Sequence, residues 1–382
     1  MSSRVRNHMV KSGDRPRIGV FVSFSGTGGV ERMVLNLGEG LVALGCRVEL
    51  LQIKAHSQHL EQLPSMVHIR KLNAEHTLTS LPALVRYLKT ERPDALLAAK
   101  DRANQVAVLA SKISGVPTRV VVRMGTTVSA ALAGKNRWRK LFWYLPMRLI
   151  YRNADAVVAV SQGVARDMAR ITGLPTSAIR IIPNPVITPR IFRLAREPVP
   201  HPWLVNGGEP VIVGIGRLTR QKDFPTLIRA FAAVRRKLPC RLIILGEGKD
   251  RGSLEHLTKQ LSLSEQIDMP GFVENPYAYL KRAALFVLSS AWEGSPNALT
   301  EALALGVPVV ATDCPSGPRE ILKEGAIGRL VPVGDPDALA AAMLATLSAP
   351  PDETLLKSAV REYTAEVSSQ RYLDLLLDRT VP

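Results

Sequence analysis

Two carboxylates and a basic loop are the residues of this sequence most capable of chemistry. Glu293 and Glu301 stand in the run Ala291-Trp292-Glu293-Gly294-Ser295-Pro296-Asn297-Ala298-Leu299-Thr300-Glu301, between a strand-like stretch ending near Ser290 and a helical stretch reaching about Leu305. Ser295 is a good N-cap and Pro296 suits the first helical position, which would leave the N–H groups of Asn297, Ala298 and Leu299 without intrahelical partners. Such donors, with the helix dipole behind them, make an anion site suited to a diphosphate. Glu293 in the loop and Glu301 about one and a half turns into the helix would flank that anion, one placed to meet a sugar and the other a ribose. An ordinary capped helix with one solvated Glu has the same spacing, so a second signal is needed.

The run Gly214-Ile215-Gly216-Arg217-Leu218-Thr219-Arg220-Gln221-Lys222-Asp223 supplies it, at the end of a strand-like stretch in the same half of the chain. Glycine lets backbone approach a ligand closely, and Arg217 and Lys222 project positive charge where phosphate would lie. A lone basic loop is usually a solvated turn. One at the carboxyl end of a strand, sharing a domain with the helix above, reads as a diphosphate clamp.

The elements that must position these residues alternate between short β-branched runs and longer amphipathic ones, the mark of βαβ units and parallel sheets. In the first half the strands are expected at Arg17 to Phe24, Val48 to Ile53, Ala95 to Ala99, Arg119 to Met124, Ala156 to Val160 and Ile179 to Ile182. A stretch rich in Pro and Gly interrupts the rhythm, and a second series follows at Val211 to Ile215, Arg241 to Leu245, Leu285 to Ser289, Pro308 to Thr312 and Arg329 to Pro332. The expected fold is α/β, with two Rossmann-like doubly wound domains facing a cleft. The division is a disordered lead-in over 1–16, an amino-terminal Rossmann-like domain over 17–190, a linker over 191–209, a carboxy-terminal Rossmann-like domain over 210–367, and a terminal helix over 368–382 able to cross back to the first domain.

Composition narrows the class. A chain of 382 residues with 46% apolar content suits two cores. No run approaches the roughly 20 apolar residues of a spanning helix, and the polar, basic first residues lack a signal-peptide pattern. Cys46, Cys240 and Cys314 form neither a disulfide framework nor a zinc pattern, which points to a reducing cytosolic setting. The net charge of +17 is confined to one half: residues 1–190 hold 28 Lys and Arg against 11 Asp and Glu, whereas 191–382 hold 22 of each. That half is expected to face a polyanionic surface.

Taken together, these motifs resemble those of family 4 retaining glycosyltransferases of the GT-B fold. The resemblance rests on the Glu-x7-Glu pair Glu293 and Glu301, and on Gly216, Arg217 and Lys222. It also covers Gly28-Gly29-Val30-Glu31-Arg32, Gly246-Glu247-Gly248, Pro270-Gly271-Phe272 and Gly328-Arg329-Leu330-Val331-Pro332, and so spans nearly the whole chain after Arg17. It implies that Glu301 binds the ribose of a nucleotide-sugar donor, that Arg217 and Lys222 hold its diphosphate, and that Glu293 contacts the sugar. Glu293, Arg217 and Lys222 are thus the candidate catalytic residues. Gly28 and Gly29 would bring the amino-terminal domain against the donor phosphate, and Gly271 and Phe272 would line the base pocket. Many members carry a His after the strand equivalent to Arg119–Met124. This chain reads Arg123-Met124-Gly125-Thr126-Thr127 there, so Arg123 or Thr126 is expected to contact sugar or acceptor in its place.

The stretch Thr312-Asp313-Cys314-Pro315-Ser316-Gly317-Pro318-Arg319-Glu320-Ile321-Leu322 resembles the branch that includes N-acetylhexosamine transferases acting on lipid-linked glycans. The resemblance implies front-face attack, in which the acceptor hydroxyl approaches the face that the donor diphosphate leaves, whereas retaining hydrolases use two carboxylates in a defined geometry. Arg217, Lys222 and the helix N-terminus would stabilise charge growing on the departing phosphate. No Asp-x-Asp metal motif is read in the chain, and neither metal nor cofactor is expected.

Three other readings compete. A nucleotide-sugar epimerase or hydrolase could share the scaffold. An NAD enzyme is suggested by Gly246-Glu247-Gly248-Lys249-Asp250-Arg251-Gly252, but the glycine spacing is one residue too long. A nucleic-acid-binding protein is suggested by charge alone, without a reader motif, and nucleic acid is not an expected partner. The basic segment from Lys135 to Arg152 points elsewhere, with six basic residues, five aromatics and no acid. Its residues Arg137, Trp138, Arg139, Lys140 and Trp143 are expected to face an anionic membrane surface on the cytoplasmic side, within reach of a lipid-linked or glycan acceptor.

Overall fold

The computed structural model describes residues 15–22, 29–53, 67–205 and 207–379. Gly28, the lead-in through residue 14 and the end of the first expected strand at Phe24 lie outside the described residues.

Seven parallel strands form the first sheet: β1 (Arg17–Val22), β2 (Arg47–Gln52), β3 (Val67–Lys71), β4 (Ala95–Ala99), β5 (Arg119–Met124), β6 (Ala156–Ala159) and β7 (Ile179–Ile181), in the order β3-β2-β1-β4-β5-β6-β7. Six more form the second: β8 (Val211–Ile215), β9 (Arg241–Leu245), β10 (Ile267–Gly271), β11 (Leu285–Leu288), β12 (Val309–Thr312) and β13 (Arg329–Val331), in the order β10-β9-β8-β11-β12-β13. Central strands such as β4, Ala-Leu-Leu-Ala-Ala, are buried along their whole length because helices cover both faces of each sheet. The architecture is two Rossmann-like α/β domains.

In each sheet the strand order reverses once, between β1 and β4 in the first and between β8 and β11 in the second. Such reversals open a crevice at the carboxyl ends of the strands, since the loops there diverge to opposite faces. The glycine loop leads out of β1, the basic loop out of β8, and the Glu293 loop out of β11.

Sequence reasoning passed over β3 and β10, both at sheet edges. Four of the five residues of β3 are exposed, and β10 carries Pro270, so neither has the apolar signature of a central strand.

The stretch expected as a linker over 191–209 is largely structured. Helix Pro189–Ala195 runs into it and helix Pro202–Val205 follows, while Ile187, Ile191, Ala195 and Val199 join the core beneath the second sheet. Later the chain returns to the first domain. Helix Ala365–Leu376 packs Tyr372, Leu373 and Leu376 against the first sheet beside helix Gly29–Ala43. The outgoing and returning segments meet at a parallel bridge between Ile187 and Thr364, where Ile187 N–H donates to Tyr363 O at 3.0 Å and Ala365 N–H to Ile187 O at 2.8 Å.

Candidate active site

The loops leaving β8 and β11 are laced together. Ala291 N–H donates to Gln221 O at 2.8 Å and Gln221 Nε2 to Trp292 O at 3.0 Å. Within this frame Lys222 Nζ reaches Glu293 Oε1 at 2.6 Å, and Ser290 Oγ donates to the same oxygen at 2.7 Å. Gly216 permits the reach: a Cβ there would collide with the Lys222 stem. The Glu293 carboxylate is buried, and its Oε2 accepts no hydrogen bond among the described residues, which leaves that oxygen as a site for a hydroxyl. Arg217 is exposed and forms no ion pair among the described residues. Cys314 lies close to this pair; burial, with the Glu293 charge adding to it, pushes its thiol up to about 12.

Helix Asn297–Ala304 differs at its start from the sequence expectation. Pro296, extended at φ −74° and ψ 102°, occupies the N-cap position, and the Ser295 Oγ is buried without a partner. Leu299 N–H is committed to Pro296 O at 3.1 Å, so the open donors are those of Asn297 and Ala298. The Pro296 carbonyl folds back into a tight first turn, which consumes one of the three donors that spacing alone had left free.

Glu301, 3% exposed, receives Arg32 Nη1 at 3.1 Å and the Tyr277 hydroxyl at 3.3 Å, both on Oε1. Gly271 closes β10 with a positive φ of 89°, and Phe272 after it is exposed beside the turn where Gly246 N–H meets Gly271 O at 2.8 Å.

The first domain closes over this site. Thr126 bridges to Gly294, and Thr127 Oγ1 donates to Glu293 O at 3.0 Å. Gly294 is required there, since a Cβ would run into the Gly125 carbonyl. Arg123 does not face the cleft as expected. It is 2% exposed and gives Nη2 to Asn184 Oδ1 at 2.5 Å; Asn184 in turn donates to Asn297 Oδ1 at 2.8 Å, and Asn297 Nδ2 to Gly29 O at 3.3 Å. Arg123 therefore supports the residue that holds the head of helix Asn297–Ala304, because its own charge is best satisfied by a buried amide oxygen.

Sequence reasoning gave no role to several participants. Glu320 caps a helix of the other domain, accepting from Gln162 N at 2.7 Å and Gly163 N at 2.9 Å, while Ser161 and Ser316 share a 2.6 Å hydroxyl contact beside it. Asn184, Tyr277 and Arg32 likewise act across chain separations of 24 residues or more, whereas Ser290 acts on Glu293 three residues on. Of these, Arg32, Ser316 and Glu320 lie in motifs quoted above. One Asp-x-Asp sequence was also overlooked, Asp335-Pro336-Asp337. Its first carboxylate is an N-cap, accepting from Asp337 N at 3.1 Å and Ala338 N at 2.9 Å.

The Lys135 to Arg152 segment forms helix Arg137–Ile150, which continues through Pro146. Met147, Tyr144 and Ile150 face the domain core, and half-buried Trp143 lies under the Arg102 guanidinium at 5.7 Å rather than facing outward. The outward face is apolar: Trp138, Leu141, Phe142, Leu145 and Leu149 are exposed at helical spacing, Phe142 by 79%. Arg137, Arg139 and Arg148 are exposed along the same helix, with Lys140 partly so. No described helix is long and apolar enough to cross a membrane.

Two doubly wound domains whose reversal points converge on a basic loop, a paired carboxylate and an open helix head define a GT-B glycosyltransferase. Known proteins agree. Residues 28–185 match the model described as a glycosyl transferase 4-like domain, and residues 196–363 the one described as glycosyl transferases group 1. The Campylobacter jejuni N-acetylgalactosamine-N,N'-diacetylbacillosaminyl-diphospho-undecaprenol 4-alpha-N-acetylgalactosaminyltransferase is 30% identical over 333 residues, 85% of this chain and 88% of the relative. The lipopolysaccharide core biosynthesis glycosyltransferase LpsE of Rhizobium meliloti is 27% identical over 326 residues, 82% of this chain and 84% of the relative. The chain belongs to this glycosyltransferase family. Solved structures share its fold: Anabaena HepE in complex with UDP-glucose superposes with a TM-score of 0.74 at 19% identity, covering 95% of this chain and 99% of that one. TarM gives 0.75 at 12% identity, covering 96% and 100%.

Proposed function

We propose that this glycosyltransferase moves a hexose or N-acetylhexosamine, with retention, from a UDP-sugar to a hydroxyl of a lipid-linked or cell-surface glycan at the cytoplasmic face of a membrane. The observation that carries the reading is the Lys222–Glu293 pair, with exposed Arg217 on the same loop and the open N–H groups of Asn297 and Ala298 on the same domain. In this reading Arg217, Lys222 and the two N–H groups hold the diphosphate and stabilise the charge that collects on it as the sugar bond breaks. Glu293 Oε2 orients the sugar through a hydroxyl. The acceptor oxygen attacks the face the diphosphate leaves and gives its proton to a departing phosphate oxygen.

The names of similar proteins support the substrate classes. The Campylobacter relative is named for a diphospho-undecaprenol-linked acceptor, and HepE was solved with UDP-glucose. The apolar, basic-flanked face of helix Arg137–Ile150, which begins ten residues after Thr127, suits an anionic bilayer surface. The test is to offer UDP-sugars and GDP-sugars with lipid-linked acceptors and to read products by mass spectrometry and anomeric configuration by NMR. Acceptor-dependent product of retained configuration is expected. Sugar isomerised or released without acceptor would mean an epimerase or hydrolase instead.

A further inference from the structure

Glu301 is not left alone to meet a ribose. Its Oε1 is held from two sides, by Arg32 Nη1 at 3.1 Å and by the Tyr277 hydroxyl at 3.3 Å, and the two partners are bonded to each other at 3.0 Å. The guanidinium also lies over the Tyr277 ring, 5.6 Å from its centroid. Burial, reinforced by the Glu301 charge, raises the Tyr277 phenol above its ordinary value, so it stays protonated and remains a donor. Oε2 of Glu301 accepts nothing among the described residues.

The three groups come from different places. Glu301 and Tyr277 belong to the second domain, whereas Arg32 sits in the first turn of helix Gly29–Ala43 of the first domain, 269 residues away in the chain. The head of that helix also touches the site through Gly29 O and Asn297 Nδ2 at 3.3 Å. A planar guanidinium stacked on an aromatic ring is fixed in direction, and a charge-assisted bond from it fixes the carboxylate in turn.

We infer that Arg32 is a positioning residue for the donor ribose: it pins one oxygen of Glu301 so that the other is aimed at the ribose hydroxyls, and it makes ribose recognition depend on the first domain being closed. The inference rests on the nucleotide-sugar reading above. Its content is that a residue outside the nucleotide-binding domain sets how well that domain reads the sugar of the nucleotide. Removing Arg32 leaves the diphosphate clamp of Arg217, Lys222 and the helix head intact but lets Glu301 swing.

Binding of UDP and GDP, each against its 2′-deoxyribose analogue, tests this by calorimetry on the full chain. The wild type should prefer the ribose form by about 10-fold or more, the worth of a hydrogen bond to a charged group. In Arg32→Gln that preference should fall towards one while affinity for the deoxy analogue changes by about 2-fold or less, in keeping with an untouched clamp. Arg32→Lys, which keeps the charge and loses the fork, should recover part of the preference. Tyr277→Phe should reduce it as well, and serves if Arg32→Gln does not fold. An unchanged ribose preference in folded Arg32→Gln overturns the inference and leaves the donor reading standing. A wild type that binds both diphosphates but ignores the 2′-hydroxyl overturns it too. A wild type that binds no nucleoside diphosphate removes the donor reading, and this inference with it.

Discussion

Lys222 Nζ and Glu293 Oε1, 71 residues apart in the chain, meet at 2.6 Å across the point where the strand order of the second sheet reverses. The pair is mostly shielded from water, with side-chain exposures of 17% and 8%. This separates Lys222 from Arg217, the two cations of the basic loop read as candidate catalytic residues. Lys222→Ala strands a buried carboxylate and should cost about 3–5 kcal/mol of stability as well as activity. Arg217→Ala should leave the melting temperature within error and lower turnover about 100-fold to 1000-fold, the loss typical of one oriented donor at a transition-state charge. Thermal melts beside initial rates decide it. Equal melting losses in both variants, or near-wild-type turnover in Arg217→Ala, would count against the assigned roles.

Fixed cations within the chain also bear on metal dependence. If Lys222, Arg217 and the helix head neutralise the leaving diphosphate, EDTA should leave the transfer rate largely intact. Loss of activity with EDTA, restored by a divalent ion, would show that the protein's own charges are insufficient.

Helix Arg137–Ile150 should carry the protein onto vesicles. Wild-type protein is expected to sediment with anionic but not neutral vesicles, and less so as salt shortens the Debye length. Replacing Arg137, Arg139 and Lys140 with Ser should weaken this on the order of 100-fold, at about 1 kcal/mol for each charge. Phe142→Asp should weaken it while leaving the fold unchanged, because that side chain is 79% exposed. Failure of the wild type to sediment at low salt would leave a soluble acceptor as the better reading.

The three thiols predict an alkaline limit. Burial pushes Cys46 and Cys240 up to about 11 and Cys314 to about 12, against an ordinary value of 9.0. These groups contribute stability that is complete below pH 9. Above it the unfolded chain loses thiol protons that the folded chain keeps, so stability falls as pH rises towards 11 and 12. Denaturation midpoints should drop between pH 8 and 10.5, less steeply when the three are replaced by Ala. The native protein at pH 8 should label slowly with Ellman's reagent. Rapid labelling without denaturant would contradict the burial.

Much of this was legible in the sequence, and the remainder was hidden for identifiable reasons. Alternating apolar runs locate the central strands because burial on both faces demands them. The edges β3 and β10 escape because one is exposed along most of its length and the other contains a proline. Glu293, Lys222 and Gly216 could be read from local spacing, since each sits on a turn at a strand end. Arg123 was expected to contact sugar or acceptor because it stands near the end of β5, where many members of the resembled family carry a His. It turns inward instead, a choice set by Asn184, 61 residues further on. Arg32 could have been suspected from its place beside the glycine loop, but its partners Tyr277 and Glu301 belong to another domain, and no periodicity connects them. The Pro296 turn that consumes the Leu299 donor depends on backbone angles that residue types do not specify.

The bridge between Ile187 and Thr364 has a mechanical consequence. Both crossings between the domains are fastened at one place, so the domains form a closed loop of chain rather than beads on a string. Cutting either crossing alone would leave the halves tethered by the other. That short paired segment is the natural pivot for relative motion, and an opening of the cleft about it would return along the same arc. Thr126 would then come back to Gly294, and Glu320 to the head of helix Gln162–Thr172, with little freedom to miss.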